Sequence, residues 1–265
     1  MISRAVSAGK RAFGLSPMGR NAIVFPDDTF VVSFPESGST RACLPLANLL
    51  HPQEPTSESD IDCRIPEWES LTRRQIGRTA RPRIMRSHQH FDPRFPRVIY
   101  VVRDPRIVAF SQYRLLKKRG SIGAECKIDS FVTSFVAGDA SVCGSWKQHV
   151  SSWIATRYGL PGFLLVRYED VVADMVYELG RIAGFLGIAA TPESLSTVAA
   201  QSSALNTTAS PDSVEWNTGL SQGSIAEIES AWAPLMVWLG YDLATRRPVA
   251  AEVQEPLAAF GGVSR

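Results

Sequence analysis

Cysteine is scarce in this chain: four among 265 residues, at Cys43, Cys63, Cys126 and Cys143, with no C-x-x-C pair and no dense spacing. That excludes a disulfide scaffold and leaves free thiols in a reducing compartment, hence a cytoplasmic protein, as the expectation. Long apolar runs are also missing. None approaches the roughly 20 residues that a membrane-spanning helix needs. Nor is there a concentrated basic stripe: the formal net charge is +2, too mild to argue for nucleic acid as a partner. Histidine is rare too. The H-x-H at His88 and His90 has no further Cys, His or Asp cluster to complete a metal site, so no metal is expected.

What is present describes a globular chain, 45% hydrophobic and 20% charged, of a length that fits one domain. A basic N-terminal extension is expected over residues 1–24; it lacks the apolar core and small-residue cleavage site of a signal peptide. The domain is expected over 25–243, with a loose Pro/Ala/Glu-rich tail over 244–265. The sequon Asn206-Thr207-Thr208 would matter only in a secreted protein.

Runs rich in β-branched and aromatic residues predict strands over 29–34, 83–86, 97–102 and 163–167. Their lack of polar alternation suits a parallel sheet buried on both faces. Helical patterns lie over 40–50, 106–118, 128–137, 145–158, 175–186 and 224–239; Leu179, Ile182, Ala183 and Leu186 recur at i, i+3, i+4 and i+7. Strands alternating with helices point to a single-domain α/β fold, a central parallel sheet flanked by helices. Two polar stretches, 51–82 and 201–223, read as irregular excursions, which in compact domains often serve as lids or substrate loops.

Three constellations could carry chemistry. "FVVSFPESGSTRA", residues 30–42, reads as a buried strand, a small-residue turn and a helix start. Such a turn can cradle an anion with backbone N–H groups and a helix N-terminus, or be a tight turn with no ligand. In "VIYVVRDPRIVAFSQY", residues 98–113, Arg103 ends a strand and Ser111 follows eight residues later on a helix begun by Pro105. These two could share one phosphate at a strand's carboxyl end; Arg103 and Asp104 also fit a surface ion pair with Ser111 facing solvent. In "RPRIMRSHQHF", residues 81–91, His88 follows a short strand beside Arg86, a base titrating near neutrality next to a cation.

Together and in this order, these elements resemble the cytosolic-type sulfotransferases that use 3′-phosphoadenosine 5′-phosphosulfate. "FPESGSTR" lies on the family's Y-P-K-S-G-[TN]-T-W signature, "PRIMRSH" on its P-R-x-x-[KR]-[ST]-H element, and "VIYVVRDPRIVAFSQY" on its 3′-phosphate signature. "FLLVRYEDVVADMVYELGRIAGFLGI" resembles its later Y-E-D segment, and the likeness spans about 25–242. The resemblance implies a P-loop NTPase-like sulfotransferase fold and 3′-phosphoadenosine 5′-phosphosulfate as co-substrate. It implies His88 as general base and Arg86 as a cation at the transferring group. Ser37, Gly38, Ser39 and Thr40 would hold the 5′-phosphosulfate, Arg103 and Ser111 the 3′-phosphate, and Tyr168 the adenine. The acceptor would be a small molecule, a glycan or a lipid. Oligomeric state is not legible.

The chain departs from the family pattern at Glu36, where the signature has lysine, and at Arg41, where it has the adenine-stacking tryptophan. A carboxylate for an ammonium beside a polyanion would add roughly 3 to 4 kcal/mol of repulsion at an effective dielectric near 20. The late basic R-K-G-x-x-G-x-W segment and the K-x-x-x-T-V dimer motif are absent. Three readings follow: an active sulfotransferase, a catalytically impaired nucleotide-binding relative, and a P-loop-like nucleotide kinase. The missing G-x-x-x-x-G-K-[ST] lysine counts against the third.

Overall fold

A computed structural model describes residues 23–79, 81–205 and 212–244. Apart from Ile23, Val24 and Ala244, the expected N-terminal extension and C-terminal tail lie outside the described residues, as does the sequon at 206–208.

Four strands, β1 (Thr29–Ser33), β2 (Ile84–Ser87), β3 (Arg97–Val102) and β4 (Phe163–Arg167), form one parallel sheet in the order β2-β1-β3-β4. The helices are α1 (Ser39–Leu50), α2 (Ile61–Arg64), α3 (Arg73–Arg78), α4 (Pro105–Lys118), α5 (Ile128–Ala137) and α6 (Trp146–Arg157). After β4 come α7 (Tyr168–Ala173), α8 (Met175–Leu186), α9 (Pro192–Leu205), α10 (Asp212–Gly219) and α11 (Gln222–Trp238).

Alternating side chains of the strands feed two cores, which explains their continuous apolar character. Phe30, Val32, Val98, Tyr100 and Val102 face one side with Phe131 of α5, Trp146 and Trp153 of α6 and Trp232 of α11. Val31, Ile99, Val101 and Val166 face the other with Leu44 and Leu46 of α1, Val171 of α7 and Ile182 of α8. Expected and observed boundaries agree to within two residues for all four strands and the six expected helices. Where they differ, a cap is often the reason: Ser145 stands outside α6 because its hydroxyl accepts from Gln148 N–H while Gln148 reaches back.

The stretch 51–82 carries more order than expected. It holds α2, α3 and two 3₁₀ turns, Glu58–Asp60 and Trp68–Ser70, tied down by buried Ile61, Ile65 and Trp68. Glu67 bridges Arg86 in parallel, extending the sheet edge beyond β2. The reading of 201–223 as one irregular excursion is corrected: α9 runs to Leu205 and α10 fills Asp212–Gly219. Small residues let α9 lie close on its neighbours, and its Ser202 accepts from Asn48 Nδ2 of α1 at 3.1 Å. Its burial rests on Val198, Ala199 and Ser202, too few apolar side chains for a legible period.

Candidate active site

All four strands deliver functional side chains at their carboxyl ends, where ligands of open parallel sheets bind. After β1 the chain turns through Glu36, at φ 65°, and Gly38, at φ 82°, into α1. Glu36 is the one non-glycine with positive φ among the described residues, a conformation that costs an ordinary side chain roughly 1–2 kcal/mol. Gly38 is required twice over. Its φ is left-handed, and a Cβ there would fall 2.3 Å from Tyr168 Cδ2. Gly38 caps α1 with no side-chain hydrogen bond, so no side chain of its own competes for the first-turn amides. Ser37 beside it is buried, and its hydroxyl has no hydrogen-bond partner among the described residues.

After β3, Arg103 is sunk to 4% exposure. Its Nη1 donates to the Glu36 carbonyl at 3.1 Å and to Ser111 Oγ at 3.4 Å. Nε and Nη2 are buried with no partner among the described residues. The surface-pair alternative therefore fails: Ser111 is buried, and Asp104 pairs with Arg106 at 2.6 Å while its carboxylate also caps α4. Pro105 opens that helix, where a missing N–H costs nothing.

After β4, buried Tyr168 opens α7 with its ring against Gly38 and under the Arg103 guanidinium, 4.3 Å from ring centroid. Arg41 Nη1 donates to its hydroxyl at 2.9 Å. Arg41 is thus drawn onto the ring that packs against the loop.

After β2 come Arg86 and His88. Arg86 Nη1 donates to Thr40 Oγ1 at 2.9 Å and Nε to the Ile65 carbonyl at 3.1 Å, while Nη2 pairs with Asp62. The guanidinium is therefore aimed at the first turn of α1. His88 Nδ1–H donates to the Ser33 carbonyl at 2.7 Å, which places the ring's lone pair on Nε2, with Glu67 Oε1 3.8 Å away. Buried Glu69 accepts from Ser87 Oγ at 2.5 Å and from His88 N–H at 3.0 Å. Burial pushes the Glu69 carboxyl above its ordinary range, opposed by attraction to His88 and by the Ser87 hydrogen bond.

Beneath His88 lies a polar core. His149, fully buried, donates from Nε2 to the His88 carbonyl at 3.1 Å and accepts at Nδ1 from the Tyr100 hydroxyl at 2.8 Å. Burial holds His149 well below the usual histidine range, so it is neutral. Cys143 Sγ lies 3.3 Å from the same carbonyl, and burial pushes its thiol up to about 12.

The structure thus brings together the loop 37–40, Arg41, Arg86, His88, Arg103, Ser111 and Tyr168. Sequence reasoning missed Asp62, Glu67, Glu69 and His149. The first three sit in the stretch read as a mostly irregular excursion, where the flanked acids of "PEWES" were the only signal for Glu67 and Glu69. Among the described residues no group of three His, Cys, Asp or Glu could hold a metal, and no helix is long and apolar enough to cross a membrane.

The family described as the Sulfotransferase domain matches residues 26–228. Human Sulfotransferase 2B1 is 31% identical over 186 residues, covering 66% of this chain and 50% of that protein. The guinea-pig (Cavia porcellus) 3-beta-hydroxysteroid sulfotransferase is 27% identical over 191 residues, 68% of this chain and 66% of that one. The chain spans about half the length of the first curated relatives it matches. Among solved structures, mouse sulfotransferase SULT7A1 complexed with PAP superposes with a TM-score of 0.67 at 19% identity, covering 86% of this chain and 91% of that one. Retinol dehydratase in complex with androsterone and inactive cofactor PAP gives 0.68 at 15% identity, covering 91% and 88%. At such identities the structural likeness shows the fold, and the family match over most of the chain shows the family: this chain belongs to the sulfotransferase domain family.

Proposed function

We propose that this chain transfers a sulfuryl group from 3′-phosphoadenosine 5′-phosphosulfate to a hydroxyl or amine of a small-molecule, glycan or lipid acceptor, in the cytoplasm. One observation carries the reading. Arg103 keeps two guanidinium nitrogens buried and without partners among the described residues, beside Ser111 and a loop whose Ser37 hydroxyl has none among them either. Buried donors left unsatisfied cost about 1–3 kcal/mol each, and an anion with several oxygens would satisfy them together. The residues present therefore fit a 3′-phosphate at Arg103 and Ser111 and a 5′-phosphosulfate at 37–40. Mouse SULT7A1 and retinol dehydratase, solved with PAP, lend that ligand to the reading.

The donor supplies the activated sulfuryl group; the chain supplies position, charge and a base. His88 Nε2 takes the acceptor proton, with Glu67 Oε1 3.8 Å from it and Glu69 holding the His88 backbone N–H at 3.0 Å. Arg86, braced by Asp62 and reaching Thr40, brings positive charge to the first turn of α1, the place that the family lysine's loss at Glu36 leaves short of it. Contact with adenine runs through the Arg41–Tyr168 pair.

The test is sulfuryl transfer from labelled donor to a promiscuous phenol. His88→Ala lowers kcat by about 10² to 10⁴ with PAP affinity unchanged. Unaltered turnover would remove His88 as the base. Glu36 favours a second reading, a nucleotide-binding relative with impaired turnover: under it the wild type binds PAP yet transfers nothing until Glu36→Lys. Transfer of phosphate from ATP instead would establish a kinase.

A further inference from the structure

At the opposite edge of the sheet, where the strands begin, lies a cavity of about 640 Å³. Thr29 of β1, Ile84 of β2 and Arg97 of β3 form its floor, so it is separated from the candidate active site by the length of the strands. Its volume is that of pockets that take drug-sized molecules.

The lining has two kinds of wall. Leu50, Ile84, Leu186 and Ile188 make an apolar side. Arg64, Arg78, Arg81, Arg83 and Arg97 stand around the rest, and Asp27 is the only carboxylate among the described residues that line it. The arginines are not equally committed. Arg64 pairs with Glu54 and Arg81 with Asp27, and the Arg81, Asp27 and Glu54 side chains are 41% exposed or more. Such pairs hold little energy and exchange readily for a better acceptor. Arg97 donates to the Phe185 carbonyl at the end of α8, whose dipole favours a cation but supplies less than a full negative charge. Arg78 and Arg97 thus have no carboxylate partner among the described residues.

We propose that this cavity binds an amphipathic anion: a single carboxylate, sulfate or phosphate head set among Arg64, Arg78 and Arg81, on a hydrocarbon body laid against Leu50, Leu186 and Ile188. The cavity offers apolar area and positive charge in one space, and a neutral hydrocarbon would use only the first. The inference is independent of sulfuryl transfer at the other edge.

Cys63 lines the cavity and is exposed, whereas Cys43 and Cys143 are buried with thiols pushed up to about 12. Alkylation of Cys63 by N-ethylmaleimide, read by peptide mass, therefore reports occupancy. The full-length protein is titrated with dodecanoate and, in parallel, with dodecan-1-ol, by calorimetry and by Cys63 protection. Dodecanoate is expected to bind and protect Cys63, the alcohol to bind at least tenfold more weakly, and Arg78→Ala to lose about tenfold in dodecanoate affinity, the scale of one hydrogen bond to a charged group. Arg78 is exposed on α3, so its variant folds. Equal affinity for the alcohol, an unchanged Arg78→Ala titration, or binding without Cys63 protection would each overturn the proposal. So would a Cys63 already unreactive without ligand, because a segment of the chain itself would then fill the space.

Discussion

Two arginines are buried at opposite ends of this sheet, and they are built differently. Arg83, just before β2, has no exposed side chain and no idle donor arm: Nε and Nη2 meet Asp28 at 2.8 and 2.5 Å, Nη1 meets the Ile76 carbonyl at 2.7 Å, and Nη2 also reaches the Ile23 carbonyl at 3.0 Å. Arg103, just after β3, is equally sunk, yet Nε and Nη2 meet nothing among the described residues. A saturated buried cation holds a fold together. Under the proposed function, the unsaturated one holds a place for a ligand, at a cost to stability.

The comparison can be broken by mutation. Arg83→Ala strands the Asp28 carboxylate in the interior and is expected to cost about 3–5 kcal/mol by urea denaturation; a loss under 1 kcal/mol would refute its structural role. Gly38→Ala comes next, at roughly 2–3 kcal/mol from left-handed strain and overlap with Tyr168. Gly159→Ala, also at positive φ but with nothing among the described residues within 4 Å of the added Cβ, is its control for strain alone.

His149 gives a pH test. Its folded-state affinity for a proton is depressed, so the unfolded chain binds more protons below its ordinary value of about 6.5. Its contribution is complete above that value, and it falls by about 1.4 kcal/mol per pH unit as pH drops toward the lowered folded value. His149→Phe should flatten this slope in denaturation curves taken between pH 6.5 and 5, at some cost in overall stability. The smallest effect belongs to Arg81→Ala, which removes an exposed pair with Asp27; its melting temperature should match the wild type.

How much of this was legible depends on how locally each feature is encoded. β3, β4, α5 and α8 were placed to the residue, because each strand is a continuous apolar run and the helices carry an apolar period. Arg103 and Ser111 could be paired from the sequence since one strand end and two helical turns separate them. The partners of His88 could not. Glu69 reaches it across 19 residues and His149 across 61, through packing that leaves no periodic trace. The helices α9 and α10 were invisible for another reason: their composition is small and polar, and what orders α9 is contact with α1 and α8, not an apolar face of its own. Glu36 was legible as an anomaly of charge, but its left-handed backbone and the Arg103 hydrogen bond to its carbonyl could only come from the fold.

The central claim is that Arg103 is held unsatisfied for a phosphate. Calorimetric titration of 3′-phosphoadenosine 5′-phosphate into the wild type and Arg103→Ala, with urea denaturation of both ligand-free proteins, tests it directly. The account predicts that Arg103→Ala loses about 10²-fold or more in affinity, as for a buried charge pair broken on one side, while ligand-free stability changes by about 1 kcal/mol or less. Equal affinities, or a variant that binds normally and unfolds several kcal/mol more easily, would make Arg103 a structural arginine like Arg83 and contradict the claim.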